Sequence, residues 1–162
     1  MEDVVVFKKA LLKFVESLNQ KYELSKTVED DYFEPGMMEN LEQYKGEYNE
    51  EDNIITLRIE SKGLRYDNQT KNLETLCVGD ELQIIRDFEN TYNPNNFCIK
   101  RNNVSFGNLP ADLCNVLACL YDKGYATILT AKASYIERIK DRSRYARQGV
   151  LFVEMQIKMR GV

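Results

Sequence analysis

Three short stretches of the sequence combine residue types that can bind the end of a nucleic-acid strand. They are residues 63–66 (Gly-Leu-Arg-Tyr), 89–96 (Glu-Asn-Thr-Tyr-Asn-Pro-Asn-Asn) and 107–110 (Gly-Asn-Leu-Pro). A guanidinium group binds phosphate through two parallel hydrogen bonds, and an aromatic ring stacks on a base with about 1–3 kcal/mol. A side-chain amide both donates and accepts, so it can hold a sugar hydroxyl. Asparagine-rich loops are also often simple turns, and that interpretation stays open on the residues alone.

The sequence offers little for catalysis. It contains no histidine, which removes the serine–histidine and cysteine–histidine arrangements and the common zinc-water sites. The adjacent carboxylates Asp30-Asp31 and Glu50-Glu51 lie in a strongly acidic stretch, where nothing in the sequence would orient them for acid–base work. No glycine-rich phosphate loop of known spacing is present. We therefore expect a binding module without enzymatic activity.

The four cysteines indicate neither a metal site nor disulfides. None of them belongs to a C-x-x-C pair, and structural zinc sites need closely spaced ligands. Two lie five residues apart on one predicted helix, which places their side chains on different faces. We expect reduced, buried thiols, no metal and no other cofactor. The cysteines are Cys77, Cys98, Cys114 and Cys119.

Charge divides the 162 residues into two parts. Residues 1–52 hold 14 acidic and 6 basic side chains, whereas residues 53–162 hold 12 acidic and 16 basic ones. We expect an acidic N-terminal helix and arm over residues 1–52, and a folded domain over residues 53–160 whose basic charge is compatible with nucleic acid. No apolar run approaches the roughly 20 residues of a membrane span, and no signal-peptide pattern is present. These features predict a cytoplasmic protein that does not contact a membrane.

Hydrophobic periodicity predicts a mainly β fold. Residues 3–22 carry apolar side chains at spacings of three and four, which indicates an amphipathic helix, and residues 25–52 are irregular and acidic. Beyond them, alternation with period two recurs between turn residues, which is typical of strands. The predicted strands cover residues 53–59, 81–86, 97–101, 104–106, 125–133 and 150–159.

Turn residues and one helix complete this pattern. Asn102-Asn103 tolerate positive φ and predict a tight hairpin, and Gly79-Asp80 predict another turn. Pro110 opens an internal helix with an apolar stripe, and Gly124 ends it. Short strands joined by hairpins around a single internal helix suggest a small β-barrel.

The three stretches occur in the order of a known family. Residues 63–66 are followed by Val78-Gly79-Asp80-Glu81-Leu82, Arg86-Asp87, Asn90-x-Tyr92-Asn93-Pro94-Asn95, and Gly107-x-Leu109-Pro110 with a helix. This ordered set, over about residues 53–159, resembles the HIRAN domain. The resemblance implies a small OB- or SH3-like β-barrel, which agrees with an α+β, mainly β fold that has one internal helix and an N-terminal helical extension. HIRAN domains occur in SNF2-type fork-remodelling helicases and as small free-standing bacterial proteins.

The resemblance also implies a ligand and the residues that bind it. In the fork-remodelling relative, the domain captures the 3′-hydroxyl end of single-stranded DNA and holds the terminal bases with aromatic side chains. By matching motif positions, Arg65 and Tyr66 would contact backbone and base. Asn90 and Tyr92 would line the pocket.

Asn93 would meet the terminal hydroxyl, and it is also the main departure from the family pattern, which usually has aspartate there. A carboxylate accepts strongly from a 3′-hydroxyl and repels a 3′-phosphate, whereas an amide carries no charge. We expect a weaker contact and relaxed discrimination between hydroxyl and phosphate ends. Thr91 replaces the usual proline, and Asn96-Phe97 replace a small-apolar pair. Asn95, from the same motif, completes the set of DNA-binding residues predicted in this loop.

A basic segment, residues 131–148, lies outside the motifs. It has a net charge of +4 with two interleaved tyrosines, Tyr135 and Tyr145. It is either a flexible wall for the DNA backbone, with Arg142 and Arg144 as contacts, or a solvated basic loop.

The N-terminal helix admits three roles. It could pack on the barrel and complete the core, pair two chains into a homodimer, or lie over the basic surface and compete with DNA. Charge asymmetry alone supports the last role.

Two functions follow from these observations. The first is a DNA-binding module that captures single-stranded DNA by its 3′ end in DNA repair or replication-related processing, with a helicase or nuclease as partner. The alternative is a protein-interaction barrel that has lost DNA binding, which the net acidic charge and Asn93 favour. The salt dependence of binding distinguishes the two functions. DNA binding weakens steeply as the salt concentration rises, because counterion release becomes less favourable.

Overall fold

The computed structural model describes residues 45–49, 51–143 and 145–159. Element labels count only the helices and strands within these residues. The helices in this part of the chain are too short or too polar to span a bilayer. The helices are α1 (Ala111–Asp122) and two 3-10 helices, Tyr66–Thr75 and Ile139–Asp141. The first of these is broken by a kink at Asp67 and Asn68, whose φ values are 53° and 57°. The strands are β1 (Lys45–Asn49), β2 (Ile54–Glu60), β3 (Gln83–Asp87), β4 (Asn96–Arg101), β5 (Val104–Asn108), β6 (Ala126–Glu137) and β7 (Val150–Met159).

The strands form two antiparallel sheets. One has the order β1-β2-β7-β6, and the other has the order β3-β4-β5. Isolated bridges connect the sheets at two corners, between Lys62 and Asn108 and between Glu81 and Lys132. The mainly β, α+β architecture is as predicted, but the OB- or SH3-like barrel is not confirmed. At the first corner Lys62 and Asn108 exchange two backbone hydrogen bonds, and at the second the chain before β3 makes three with Ala131 and Ala133 of β6.

The core lies between the sheets and α1. Alternate residues of β2 and β7 are buried, because successive side chains of a strand point to opposite faces. Each fully buried aliphatic side chain contributes about 1.5–3 kcal/mol. The ring of Phe97 on β4 meets Tyr121 on α1 edge to face, with centroids 5.2 Å apart. The sheet faces and the helix are thereby fixed relative to each other.

The predicted turns are confirmed. Asn102 and Asn103 have φ values of 51° and 66°, as a two-residue turn between β4 and β5 requires. Gly124 has a φ of 79° and follows α1, where its N–H donates to Tyr121 O and the next N–H donates to Leu120 O. This pair of bonds is a Schellman motif, so Gly124 ends the helix as expected.

Three elements differ from the sequence predictions. Residues 45–49, expected to be irregular, form β1, because their backbone pairs with β2 although their side chains have little β propensity. β6 continues past residue 133 to Glu137, since β7 supplies a partner along its whole length. The 3-10 helix Tyr66–Thr75 was not predicted, because its polar sequence lacks helical periodicity.

Tertiary contacts explain this 3-10 helix. Gln69 Oε1 accepts the Gly107 N–H at 2.8 Å, and Asn72 Nδ2 donates to Ser105 O at 2.7 Å. Thr70 Oγ1 accepts the N–H of Gly149 at 2.7 Å. The segment therefore takes its shape from β5 and from the chain before β7.

Several predictions lie outside the described residues. They are the amphipathic helix over residues 3–22, its possible roles and the contact predicted for Arg144. The division between an arm over residues 1–52 and a domain over residues 53–160 also stays a prediction.

Candidate nucleic-acid interface

Arg65 and Tyr66 form an exposed corner after β2. Gly63, with a φ of 81°, accepts the Tyr66 N–H through its carbonyl at 3.1 Å and closes a tight turn. Arg65 Nη2 donates to the Tyr66 hydroxyl at 2.8 Å, and the Arg65 Cζ atom lies 4.9 Å from the ring centroid. The Tyr66 side chain is 59% exposed. The corner therefore presents an aromatic ring and a guanidinium group held side by side.

Gln148 joins this corner to the basic segment. Its Oε1 atom accepts the Arg65 N–H at 3.1 Å, and its carbonyl accepts Arg142 Nη1 at 3.0 Å. Arg142 Nε lies 3.5 Å from Glu137 Oε1. Two predicted site residues far apart in sequence, Arg65 and Arg142, thus meet on opposite sides of one glutamine.

Much of the basic segment is not a free loop. Its first residues belong to β6, and two of its cations, Arg138 and Lys140, each lie 3.8 Å from Glu74 Oε2. Arg138 Nη2 also donates to Leu76 O at 2.8 Å. Such half-exposed ion pairs are weak, so these cations are partly neutralised but can still exchange partners.

Tyr92 stands at the tip of a loop between β3 and β4. Its side chain is 96% exposed. Asn90 fixes the loop beneath it, because Asn90 Oδ1 accepts the N–H groups of Tyr92 at 3.0 Å and of Asn93 at 2.9 Å. Asn90 therefore positions the loop backbone, which is an Asx-turn role.

Arg86 anchors the far side of the same loop. Its side chain is only 7% exposed and binds both Asp122 carboxylate oxygens at 2.9 Å. Its Nη1 atom donates to the carbonyls of Pro94 at 2.7 Å and Asn96 at 3.1 Å. The guanidinium also lies 4.2 Å from the Phe88 ring centroid. A charged, bidentate group thus ties the loop to the end of α1.

Asn93 and Asn95 are held by a common partner on α1. Both side-chain amides donate to Asn115 Oδ1, at 3.1 Å and 3.3 Å respectively. Asn93 Oδ1 accepts the Asn95 N–H at 3.0 Å. An amide oxygen has two lone pairs, so one acceptor position of Asn93 remains after this bond.

A polar network connects the Tyr92 loop to the Arg65 corner. Asp87 Oδ2 accepts from Nδ2 of Asn90 at 3.3 Å and of Asn96 at 3.2 Å. Asn96, which is 6% exposed, also donates to Asn108 Oδ1 at 2.9 Å. The backbone of Asn108 pairs with Lys62, next to Gly63. A partly buried network of this kind, with Asn96 at its centre, gives the loop and the corner a defined relative position.

The structure therefore sorts the predicted residues into groups. Tyr66 and Tyr92 are exposed rings, Arg65 and Arg142 are joined through Gln148, and the predicted loop amides are engaged with their neighbours. Sequence reasoning assigned no site role to four residues that hold the others in place. The density of amides in the motif stretches signals only Asn108, and Asp87 belongs to the motif pair Arg86-Asp87. No local pattern pairs Asn115 on the helix with the loop or Gln148 with Arg65. The four residues are Asp87, Asn108, Asn115 and Gln148.

The fold is similar to two solved structures. One is a protein from Lactobacillus plantarum with 20% sequence identity and a TM-score of 0.47, and the match covers 61% of this chain and 90% of that chain. The other is the HIRAN domain of human HLTF with 22% identity and a TM-score of 0.43, covering 64% of this chain and 76% of that one. No protein-family model and no curated protein matches the sequence.

Proposed function

We propose that this domain binds single-stranded DNA and captures its 3′ end. One observation carries the proposal: Tyr92 is almost fully exposed, while the backbone beneath it is fixed by Asn90 and Arg86. A large aromatic ring exposed on a rigid loop contributes nothing to the packing of the hydrophobic core. It does suit base stacking, because the fixed backbone leaves only the side chain to be ordered when a base binds.

The Arg65 corner supplies the complementary contact to the backbone. Within the described residues its guanidinium makes one side-chain hydrogen bond, to Tyr66. A guanidinium has five donors, so several remain for a phosphate. Tyr66 would then stack on a neighbouring base, and the sequence resemblance to HIRAN domains supports this assignment.

Asn93 is the residue proposed to meet the terminal hydroxyl. Its side chain lies beside Asn95 and Asn115 in the fixed loop, with one acceptor position beyond its bond to Asn95. The domain would serve DNA repair or replication-related end processing, in which a helicase or nuclease partner supplies the catalysis.

Fluorescence anisotropy at low salt tests the proposal. The ligands are short single strands that carry a 3′-hydroxyl, a 3′-phosphate or a blocked 3′ end. We expect the free hydroxyl to bind best and Tyr92→Ala to weaken binding about 5- to 150-fold, which corresponds to about 1–3 kcal/mol of stacking. Arg65→Ala should weaken binding to all three strands, because a phosphate contact is common to them.

Two controls accompany these variants. Tyr92→Phe keeps the ring and should bind like the wild type. Leu129→Ala removes another exposed apolar side chain, on β6, and should have no effect. If the wild-type protein binds none of the strands, DNA binding is wrong; equal binding to all three would leave strand binding but remove end capture.

A protein-interaction function is the second candidate. A cleft of about 410 Å³ lies beside β6 and is lined by Leu82, Leu129 and the Lys132–Glu154 ion pair among other residues. The lining mixes apolar side chains with polar and charged ones, and a cleft of this kind can hold a short peptide. The salt dependence of binding distinguishes the two candidates. Affinity for DNA should fall linearly on a log–log plot with salt, whereas peptide binding, which releases no condensed counterions, should change far less.

A further inference from the structure

A second aromatic cluster lies on the outer face of the four-stranded sheet. The rings of Tyr135 on β6 and Phe152 on β7 pack edge to face, with centroids 5.9 Å apart. Arg58 on β2 places its Cζ atom 4.8 Å from the Phe152 centroid. We call Arg58, Tyr135 and Phe152 the sheet-face patch. Its residues alternate with buried ones along β2 and β7, so they point away from the core.

A β-bulge turns Tyr135 towards this face. Ala133 pairs with Val153 and is buried, and the next pair joins Tyr135 to Phe152, which leaves Ser134 as the extra residue. Ser134 Oγ donates to Phe152 O at 3.2 Å. Without the extra residue, strict alternation after Ala133 would point Tyr135 into the core. Bulges that re-aim one side chain are common next to binding sites.

Contiguous contacts connect the sheet-face patch to the Arg65 corner. The Tyr135 hydroxyl donates to Glu137 Oε2 at 2.9 Å, and Arg142 lies 3.5 Å from the other oxygen of Glu137. Arg142 reaches the Gln148 carbonyl, and the Gln148 side chain reaches the Arg65 backbone. Two arginines, two aromatic rings and a third arginine therefore follow one another along this path, with Gln148 and Glu137 as the connecting residues.

The ion pairs on this face are weak enough to give way to a phosphate. Lys62 lies 3.6 Å from Glu60, and Lys132 lies 3.8 Å from Glu154, with all four side chains well exposed. Exposed pairs of this kind contribute about 0–1 kcal/mol. Arg58 instead stacks on Phe152, which leaves its donors available for a polyanion.

We propose that a bound single strand continues from the Arg65 corner over Arg142 to the sheet-face patch, where Tyr135 and Phe152 stack internal bases and Arg58 contacts the backbone. This inference rests on the proposed DNA-binding function and deepens it, because it names a second subsite for nucleotides away from the 3′ end. A sheet face with aromatic side chains and cations suits single strands, since every base has a face to stack. Affinity should therefore rise with strand length.

The test compares two oligothymidylates with 3′-hydroxyl ends, one of four and one of about twelve nucleotides, on the order of the site sizes of single-strand-binding domains. Arg58→Ala and Tyr135→Ala should each weaken binding of the longer strand, by about 5- to 150-fold for Tyr135. Binding of the shorter strand should stay within about twofold, which also shows that the variants are folded. Tyr92→Ala should weaken both lengths.

Matched controls separate stacking from structural effects. Tyr135→Phe removes the hydrogen bond to Glu137 but keeps the ring, and should bind both strands like the wild type. Lys100→Ala removes a cation from the other sheet and should have no effect. If the wild type binds the two lengths equally, or if the patch variants weaken neither or both alike, the second subsite is wrong while end capture stands. A wild type that binds neither strand overturns the proposed function itself.

Discussion

At the scale of single residues, the interface is made by side chains that hold one another. Asn90 and Arg86 bind loop backbone, and Asn115 binds two loop amides, so that Tyr92 stays exposed on a fixed support. Removing a buried partner from such a network costs about 1–3 kcal/mol, more than a typical exposed contact contributes. Position in the network therefore decides whether a substitution changes stability or binding.

Asn93→Asp should sharpen end discrimination. The carboxylate can still accept the Asn95 N–H, and it adds a charge that attracts a hydroxyl donor and repels a phosphate. We expect the preference for a 3′-hydroxyl over a 3′-phosphate to rise about 5- to 10-fold in anisotropy titrations, which corresponds to about 1–1.4 kcal/mol. Asn95→Asp is the matched control, because it adds the same charge beside the same Asn115 partner. A similar rise in that control would contradict the role of Asn93.

At the scale of elements, the corner after β2 depends on a close approach of two backbones. Gly107 on β5 has a φ of 91°, and a Cβ atom there would overlap Ser61 Oγ and lie 2.7 Å from the Lys62 carbonyl oxygen. Ser61 Oγ itself donates to Phe106 O at 2.6 Å. This contact sets the bridge between Lys62 and Asn108, and with it the position of the Arg65 corner relative to the Tyr92 loop.

Gly107→Ala and Gly79→Ala form a matched pair that isolates this packing. Gly79 has nearly the same φ, 94°, but a Cβ atom at that position would have no neighbour within 4 Å, so Gly79→Ala should cost about 1–2 kcal/mol for backbone strain alone. Gly107→Ala should cost about 1–3 kcal/mol more, because the extra atom overpacks the corner. Urea unfolding measures both changes. Equal losses would show that the two backbones are not in close contact.

At the scale of the whole molecule, the cysteine side chains differ in how deeply they are buried. The expectation of buried thiols is correct for Cys114 but wrong for Cys77, which is exposed, while Cys98 is half-buried. Cys77 lies in the turn region before β3 and Cys98 on β4, outside the buried core that encloses Cys114. Burial raises the pKa of the Cys114 thiol from 9.0 to about 12, and burial also raises the pKa of Cys98. Since a thiolate is the reactive form, reactivity should follow the order of exposure.

Alkylation with iodoacetamide at pH 8, read by peptide mass spectrometry, checks this order. Cys77 should react first, Cys98 more slowly, and Cys114 only after unfolding in urea. Because the folded-state pKa of Cys114 lies above the ordinary value, its contribution to the free energy of unfolding is complete below about pH 9 and is lost as the pH rises towards 12. Early labelling of Cys114 in the native protein would contradict the described packing.

The local features of this protein could be predicted from short stretches of its sequence. Period-two alternation fixed β7 from Val150 to Met159, and the positive-φ residues Asn102, Asn103 and Gly124 fixed a hairpin and a helix end. These features depend on a few adjacent residues, which is why they could be predicted. The capacity of Arg65 to bind phosphate and of Tyr92 to stack on a base could also be predicted, because it depends only on the residue types.

The way in which these elements combine depends on contacts between distant parts of the chain. β1 exists through pairing with β2, the 3-10 helix Tyr66–Thr75 through contacts with β5, and the two sheets meet through backbone hydrogen bonds at two corners. The link from Arg65 through Gln148 to Arg142, and the bulge that exposes Tyr135, also join residues distant in the chain. Such contacts depend on register and on long-range packing, which no local pattern of residues encodes.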